Sequence, residues 1–183
     1  MPLAFVFPGQ GSQSVGMGRD LAAAFPAARE VFEAVDDTLK QKLSALMFEG
    51  PAEELTLTAN AQPALMAVSL AVLRVLEQEG GFDLKSRVAL VAGHSLGEYS
   101  ALAAALTFDV PTAARLLRLR GEAMQKAVPA GTGAMAALLG AEMEQARGIC
   151  ARAAVNPEGR DEVVEAANDN GGGQVVISGH RAA

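Results

Sequence analysis

The sequence has few of the residues that build disulfide frameworks, metal centres or nucleic-acid surfaces. Cys150 is the only cysteine among 183 residues, and there is no tryptophan. A single cysteine excludes a disulfide framework and a cysteine-based metal site, and we predict no bound metal. The net charge of −6, from 15 basic and 21 acidic residues, argues against a general nucleic-acid binder.

Signals for export or membrane insertion are also missing. The N-terminus has no basic segment followed by a long apolar one, so we predict no signal peptide. The most apolar segment, Pro63 to Leu76, is too short to span a bilayer and contains Arg74. Half of the residues are hydrophobic, which is typical of a folded globular protein. We therefore predict a cytoplasmic protein that does not contact the membrane.

The clearest chemical signal lies between Val88 and Tyr99, which reads V-A-L-V-A-G-H-S-L-G-E-Y. Val88 to Ala92 predicts a strand buried on both faces, and an apolar helix is predicted to follow. Gly93 to Gly97 fits G-x-S-x-G, the nucleophile elbow, in which glycines allow close packing around a strained serine. Ser95 is thus a candidate nucleophile, and the N–H of Leu96 is a candidate oxyanion donor. The alternative is a purely structural turn.

A glycine-rich loop follows the first predicted strand, Leu3 to Phe7. It reads P-G-Q-G-S-Q from Pro8 to Gln13. The dinucleotide pattern G-x-G-x-x-G fails at Ser14, and the phosphate-binding lysine motif is absent from the sequence. The remaining interpretation is a loop whose backbone closely approaches another group.

An arginine stands on the apolar side of a predicted helix, Thr112 to Ala127. At about 100° per residue, Arg120 falls near the middle of the apolar face, whereas Arg115 and Arg118 point away from it. That face consists of Ala113, Leu116, Leu117, Met124 and Ala127. Because an unpaired buried arginine is costly, Arg120 should have an anionic partner. The partner is either an internal carboxylate or the carboxylate of a ligand bound beside Ser95.

The rest of the chain has a different pattern of predicted strands and helices. A hinge is predicted at Pro129 to Gly133. It is followed by a small α+β unit with a strand, a helix and two further strands, at Ala134–Leu139, Glu142–Ala154, Val163–Ala166 and Gln174–Ser178. Asn168 to Gly171 predicts a turn.

Several motifs in register identify a family. They are F-V-F-P-G-Q-G-S-Q (Phe5 to Gln13), Q-P-A (Gln62 to Ala64), G-H-S-L-G-E-Y (Gly93 to Tyr99), R-G-x-x-M-Q (Arg120 to Gln125), G-x-M-A-A (Gly133 to Ala137) and Q-V-V-I-S-G (Gln174 to Gly179). Over essentially its whole length, the sequence closely resembles the malonyl-CoA:acyl carrier protein transacylases of bacterial type II fatty acid synthesis.

The resemblance implies an α/β fold in which an α/β-hydrolase-like large subdomain carries an inserted, ferredoxin-like α+β small subdomain. Both subdomains are expected to be incomplete here. Residues 1–128 would form the N-terminal part of the large subdomain, and residues 129–183 would form part of the small one. Strands of the large sheet would lie outside this chain.

The resemblance also implies roles for individual residues. Ser95 resembles the nucleophile that takes malonyl from coenzyme A as an ester and passes it to the phosphopantetheine thiol of acyl carrier protein. Gln10 resembles the residue whose backbone N–H completes the oxyanion hole with Leu96. Arg120 resembles the residue that binds the malonyl carboxylate, which agrees with its place on the helix.

The remaining implied roles concern the pocket wall and the general base. His94 resembles a wall of the pocket, and Asn168 matches an asparagine of the active-site rim. The family's base is a histidine in a Ser-His motif beyond the small subdomain, and this chain ends at Ala183. His94 diverges from Ser95 at the elbow, and His180 matches a Gly-His pair without a catalytic role. We therefore expect no complete catalytic dyad in these residues.

The implied activity is ping-pong transfer of malonyl from coenzyme A to acyl carrier protein for fatty acid synthesis. Malonyl-CoA and the acyl carrier protein are the expected partners, with no cofactor, no nucleic acid and a monomeric state. Arg115, Arg118 and Lys126 either attract the acidic carrier protein or form a solvated helix face. The alternatives are a serine esterase or thioesterase, an acyltransferase domain of a polyketide synthase, and a fragment that binds without turnover.

Overall fold

The computed structural model describes residues 3–128, 131–155 and 161–183. The chain consists of two compact units, residues 1–125 and 126–183. The elements in chain order are β1 (Leu3–Phe7), α1 (Arg19–Ala24), α2 (Pro26–Leu39), α3 (Leu43–Glu49), α4 (Ala52–Thr56), α5 (Thr58–Gln78), α6 (Leu84–Arg87), β2 (Val88–Gly93), α7 (Leu96–Ala104), α8 (Val110–Ala127), β3 (Gly133–Leu139), α9 (Met143–Ala153), β4 (Val164–Asp169) and β5 (Gln174–His180). The predicted α/β class is confirmed.

The first unit contains a two-stranded parallel sheet. β1 pairs with β2 so that Phe7 lies opposite Gly93. The strand predicted at Val88 to Ala92 is confirmed as β2. The prediction that it is buried on both faces is wrong, because Leu90 is 55% exposed. β1 is similarly open, with Val6 74% exposed. In a sheet of two strands each strand has a neighbour on one side only, so apolar composition does not guarantee burial.

The core of the first unit is helical, and α5 forms its centre. Ala61, Ala64, Met66, Ala67 and Ala71 of α5 are fully buried. The helix runs from Thr58 to Gln78, so the apolar segment Pro63 to Leu76, predicted as too short to span a membrane, is part of a longer helix. This helix is long and apolar enough to cross a membrane, yet 61% of its apolar window is buried inside the protein. Burial of this kind is typical of a core helix.

Helix α8 presents a narrower buried line than its sequence predicted. Its buried residues are Ala113, Ala114, Leu117 and Gly121. Met124, expected on the apolar face, is 47% exposed. The Asp109 carboxylate begins the helix by accepting a hydrogen bond from Thr112 N–H at 2.7 Å. The side-chain and backbone hydrogen bonds of Thr112 lower the pKa of this exposed carboxyl group. The buried face of α8 therefore differs from the face predicted from its apolar residues. The reason is that the small residues of α8, and not its large apolar ones, lie closest to the neighbouring helix.

The second unit is an antiparallel sheet with one helix. The strands lie in the order β3-β5-β4, and α9 connects β3 to β4. Cys150 of α9 is 4% exposed. The predicted turn at Asn168 is wrong by two residues, because Asn168 and Asp169 belong to β4. Pro129 and Ala130 of the predicted hinge lie outside the described residues.

Gly121 sets the distance between α8 and α5. A Cβ atom built on Gly121 would lie 2.6 Å from Ala59 Cα and 2.7 Å from the Thr58 carbonyl oxygen. Because both are backbone atoms, they cannot rotate away as a flexible side chain would. The two helices therefore pack this closely only if residue 121 has no side chain.

We expect Gly121→Ala to destabilise the protein by about 1–3 kcal/mol, because the methyl group forces α8 away from α5. Urea unfolding measures the change. Gly148→Ala is the matched control, since a Cβ atom there meets only the Arg152 Nη1 atom, at 3.7 Å. Because alanine favours a helix more than glycine does, Gly148→Ala in the middle of α9 should stabilise the protein by up to about 1 kcal/mol. Equal effects of the two substitutions would contradict the packing argument.

Candidate active site

A strained serine stands at the junction of β2 and α7. Ser95 is the N-cap of α7 and has φ 56° and ψ −113°, a left-handed φ that costs a non-glycine residue about 1–3 kcal/mol. The glycines on either side make room for the bend, since a Cβ on Gly93 would collide with the Gly97 backbone. A Cβ on Gly97 would in turn collide with the Phe7 carbonyl oxygen. The elbow predicted from G-x-S-x-G is therefore present, with the Ser95 side chain exposed.

The loop after β1 runs beside this elbow because the two strands are parallel. His94 N–H donates to the Phe7 carbonyl oxygen at 3.3 Å. A Cβ atom on Gly9 would lie 3.0 Å from His94 Nδ1. The loop glycine therefore lets the backbone approach the residue before the serine, which gives the glycine-rich loop a structural reason.

Two backbone N–H groups are the predicted oxyanion donors, one at the elbow and one in the loop after β1. Leu96 is the first residue of α7 and is buried, so its N–H lies at the positive end of the helix dipole. Gln10 is in the loop after β1. In the described part of the chain, neither N–H donates a hydrogen bond to a protein acceptor. Donors of this kind suit a negative charge that develops on a reacting carbonyl oxygen.

Arg120 of α8 reaches the serine directly. Its Nη2 atom donates to Ser95 Oγ at 2.9 Å, and its Nη1 atom donates to Gln62 Oε1 at 2.6 Å. The guanidinium carbon also lies 6.0 Å from the centre of the Tyr99 ring, within the range of a cation–π contact. Gln62 of α5 and Tyr99 of α7 thus hold the guanidinium beside the Ser95 hydroxyl.

All three partners of this guanidinium are uncharged. None of the ion pairs formed within residues 3–128, 131–155 and 161–183 includes Arg120. Of the two partners considered from the sequence, an internal carboxylate is therefore not found in the described ranges. An arginine fixed by neutral groups keeps its full positive charge available, and a carboxylate is the anion whose geometry matches its planar fork.

The residue that fixes Arg120 was not assigned a role from the sequence. Gln62 is fully buried, and its Nε2 atom donates to Met124 Sδ at 3.3 Å while its oxygen accepts from Arg120. Tyr99 likewise had no predicted role beyond its place in a motif. The sequence did contain one signal for Gln62, a polar amide within the apolar stretch of α5, because a buried amide requires hydrogen-bond partners.

The first turns of α5 connect the other parts of the site. Gln10 Nε2 donates to Thr58 Oγ1 at 3.3 Å, and Ala59 N–H donates to Gln125 Oε1 at 2.7 Å. One end of this helix therefore contacts both the glycine-rich loop and the helix that carries Arg120.

Other predicted site residues lie elsewhere or have different surroundings. His94 is exposed next to Ser95, with its ring against Gly9. Asn168 lies in the second unit, exposed on β4 opposite Val176. His180, also in the second unit, contacts the Glu162 carboxylate at 2.6 Å through Nδ1. Among the residues that the structure describes, no group of three or more His, Cys, Asp or Glu side chains is arranged to hold a metal ion.

Known proteins with the same sequence pattern share one activity in their names. Residues 4–183 match the acyl transferase domain family. The chain is 51% identical over 177 residues to the malonyl CoA-acyl carrier protein transacylase of Bacillus subtilis (strain 168), covering 97% of this chain and 53% of that protein. It is 50% identical over 180 residues to the transacylase of the same name from Escherichia coli (strain K12), covering 98% of this chain and 55% of that protein.

Solved structures agree with this assignment. The crystal structure of acyl-carrier-protein-S-malonyltransferase from Bartonella henselae has a TM-score of 0.88 and 60% identity, covering 98% of this chain and 55% of that one. A malonyl-transacylase in complex with its type II polyketide synthase acyl-carrier protein has a TM-score of 0.85 and 46% identity, covering 99% and 56%. The chain spans about half the length of the relatives it matches. By its sequence and its fold, this chain belongs to the acyl transferase domain family.

Proposed function

We propose that this chain supplies the nucleophile, the oxyanion donors and the carboxylate-binding arginine of a malonyl transferase. The enzyme would move malonyl from coenzyme A to the phosphopantetheine thiol of acyl carrier protein for fatty acid synthesis. The observation that carries the proposal is the contact between Ser95 Oγ and an arginine that has only uncharged partners among the described residues. A nucleophile and a carboxylate site at hydrogen-bond distance suit a short acyl group that ends in a carboxylate.

In the proposed first half-reaction, Ser95 Oγ attacks the thioester carbon of malonyl-CoA. The serine loses its proton, the carbonyl oxygen becomes an oxyanion, and the N–H groups of Leu96 and Gln10 stabilise it. Breaking the carbon–sulfur bond releases coenzyme A, which takes up a proton, and leaves a malonyl ester on Ser95. In the second half, the phosphopantetheine sulfur attacks this ester and regenerates the serine hydroxyl.

The serine proton requires a base that Arg120 cannot provide. A guanidinium stays protonated at any physiological pH, so its contact with Ser95 is that of a donor. His94 adjoins the serine, but its ring lies against Gly9. In line with the family resemblance, we assign the base to a histidine of the whole protein beyond Ala183.

Further features of the proposed enzyme follow from its relatives. The complex named above joins a malonyl-transacylase to its acyl-carrier protein, and we propose the same class of partner for this protein. His94 and Asn168 would line the pocket and its rim. Residues 1–128 and 129–183 would be parts of the large and small subdomains. The substrates alone would supply the chemistry, without a cofactor, in a monomeric cytoplasmic enzyme.

The proposal is tested by mixing the whole protein with malonyl-CoA and following the protein by intact-mass spectrometry. We expect a malonyl ester that persists in water and disappears when phosphopantetheinylated acyl carrier protein is added, because the ester is passed to its thiol. Ser95→Ala should form no ester. Rapid release of malonate into water without a thiol acceptor would instead indicate a hydrolase.

We expect Arg120→Ala to abolish malonyl transfer while acetyl transfer survives or improves. The guanidinium binds the carboxylate that only the malonyl group carries, so its loss should leave the serine chemistry intact. Acylation rates of Ser95 with malonyl-CoA and acetyl-CoA measure the difference. An equal loss of both activities would show that Arg120 does not select the carboxylate.

Gln62→Glu tests whether the neutrality of the arginine's partner matters. The substitution keeps the shape of the side chain but gives Arg120 an internal anion, so we expect malonyl loading to fall by about tenfold or more while acetyl loading changes much less. Gln62→Met is the control, because it removes the hydrogen bond without adding charge. If Gln62→Glu loads malonyl as well as the wild type does, an uncompensated guanidinium is not what binds the substrate.

A further inference from the structure

A second arginine of α8, Arg118, is also held by amide side chains. Its Nη1 atom donates to Asn60 Oδ1 at 3.0 Å, and its Nη2 atom donates to Gln41 Oε1. Gln41 Nε2 donates to the same Asn60 oxygen at 3.3 Å, and Asn60 Nδ2 donates to the Glu54 carbonyl oxygen at 2.9 Å. This network joins α8 to α5, to the α2–α3 connection and to α4.

The partly buried position of Arg118 was not expected from the sequence. Helical periodicity placed it on the outer side of α8, as a possible contact for an acidic partner. In the structure its Nε atom is buried and has no hydrogen-bond partner in the described residues. Burial lowers the pKa of the guanidinium, whereas the charge of Glu122 raises it. A surface role in partner binding does not explain a partly buried side chain whose guanidinium is held by Asn60 and Gln41.

The two arginines lie on opposite sides of the contact between α8 and α5. At about 100° per residue, Arg118 and Arg120 project about 80° to either side of a line midway between the buried Leu117 and Gly121. Arg118 and Arg120 are two positions apart on α8, and their partners on α5, Asn60 and Gln62, are also two positions apart.

We propose that Arg118 is a positioning residue that fixes the rotation of α8 and thereby places the Arg120 guanidinium at Ser95. The inference rests on the carboxylate-binding role proposed for Arg120. With one arginine–amide pair on each side of the helix contact, α8 cannot turn about its axis without stretching one pair. On the side of Arg118, the other bond that the described residues form between the two helices is the one from Ala59 N–H to Gln125 Oε1, near the end of α8. Arg118 is therefore the side chain that limits the turn beside Arg120.

Small rotations matter at this distance from the helix axis. An extended arginine places its guanidinium about 8 Å from the axis, so a turn of about 10° moves it by about 1.4 Å. A misplacement of about 1 Å at a reacting group can cost about 100-fold in rate. The buried line of α8 has Leu117 as its one large side chain beside Ala113, Ala114 and Gly121, so side-chain hydrogen bonds are the other restraint on such a turn.

The test compares Arg118→Lys with wild type in the whole protein. Lysine keeps the charge but lacks the planar fork that reaches Asn60 and Gln41 together. We expect the ratio of malonyl to acetyl loading on Ser95 to fall by about 10- to 100-fold, because the carboxylate site moves while the serine stays in place. The matched control is Arg115→Gln on the same helix, which removes an exposed arginine bonded to Thr112 Oγ1 at 3.0 Å. The control should leave the ratio unchanged.

A second readout does not depend on turnover. The Nε–Hε signal of Arg120 in an NMR spectrum is identified by its loss in Arg120→Lys. We expect this signal to shift or broaden in Arg118→Lys and to stay in place in Arg115→Gln. Gln41→Ala removes one of the two acceptors from a loop, and should give intermediate values of both readouts in a protein that still folds.

The outcomes separate this inference from the proposed function. If Arg118→Lys and Gln41→Ala lower the unfolding temperature but leave the loading ratio and the Arg120 signal unchanged, Arg118 is merely structural and the inference is overturned. If the wild type does not discriminate malonyl from acetyl, the proposed function fails. The Arg120 signal then decides by itself whether Arg118 positions Arg120.

Discussion

The structure depends on one electrostatic arrangement, a guanidinium whose partners in the described part of the chain carry no charge. Gln62, Ser95 and Tyr99 fix Arg120 in position without neutralising it. A carboxylate partner would have made a more stable ion pair, but it would also have filled the site. Because these partners are neutral, the positive charge of Arg120 stays available for an anionic group within reach of the Ser95 hydroxyl.

The beginning of α5 is the part of the fold that makes this arrangement possible. Four of the five residues 58–62 provide contacts to the glycine-rich loop, to the end of α8 and to its arginines Arg118 and Arg120. Such short side-chain bridges require the two helices to be very close. Gly121 allows this approach, because its missing side chain lets the backbones of α8 and α5 meet. The geometry around Ser95 and Arg120 is therefore built from helix spacing as well as from the strained bend at Ser95.

Local motifs were predicted well from the sequence, and features that depend on neighbours were not. The elbow follows from G-x-S-x-G, because the positive φ of Ser95 and the close contact of Gly93 with the Gly97 backbone are properties of that segment itself. The exposure of Leu90 could not be predicted, because apolar composition does not reveal how many strands lie beside it. The rotation of α8 was misjudged for a related reason. The large apolar residues of α8 predict a different buried face from the one that its small residues form, so Arg118 was expected on the surface although its Nε atom is buried. Gln62 needed a partner, but the sequence does not say which one.

The open sheet of the first unit has a practical consequence. β1 and β2 each have one strand neighbour, and their outer edges carry backbone N–H and C=O groups beside apolar side chains such as Val6 and Leu90. Edges of this kind readily accept an extended segment from another polypeptide, which leads to precipitation or amyloid-like association at high concentration. Good solubility of these 183 residues by themselves therefore requires that another polypeptide segment cover those edges.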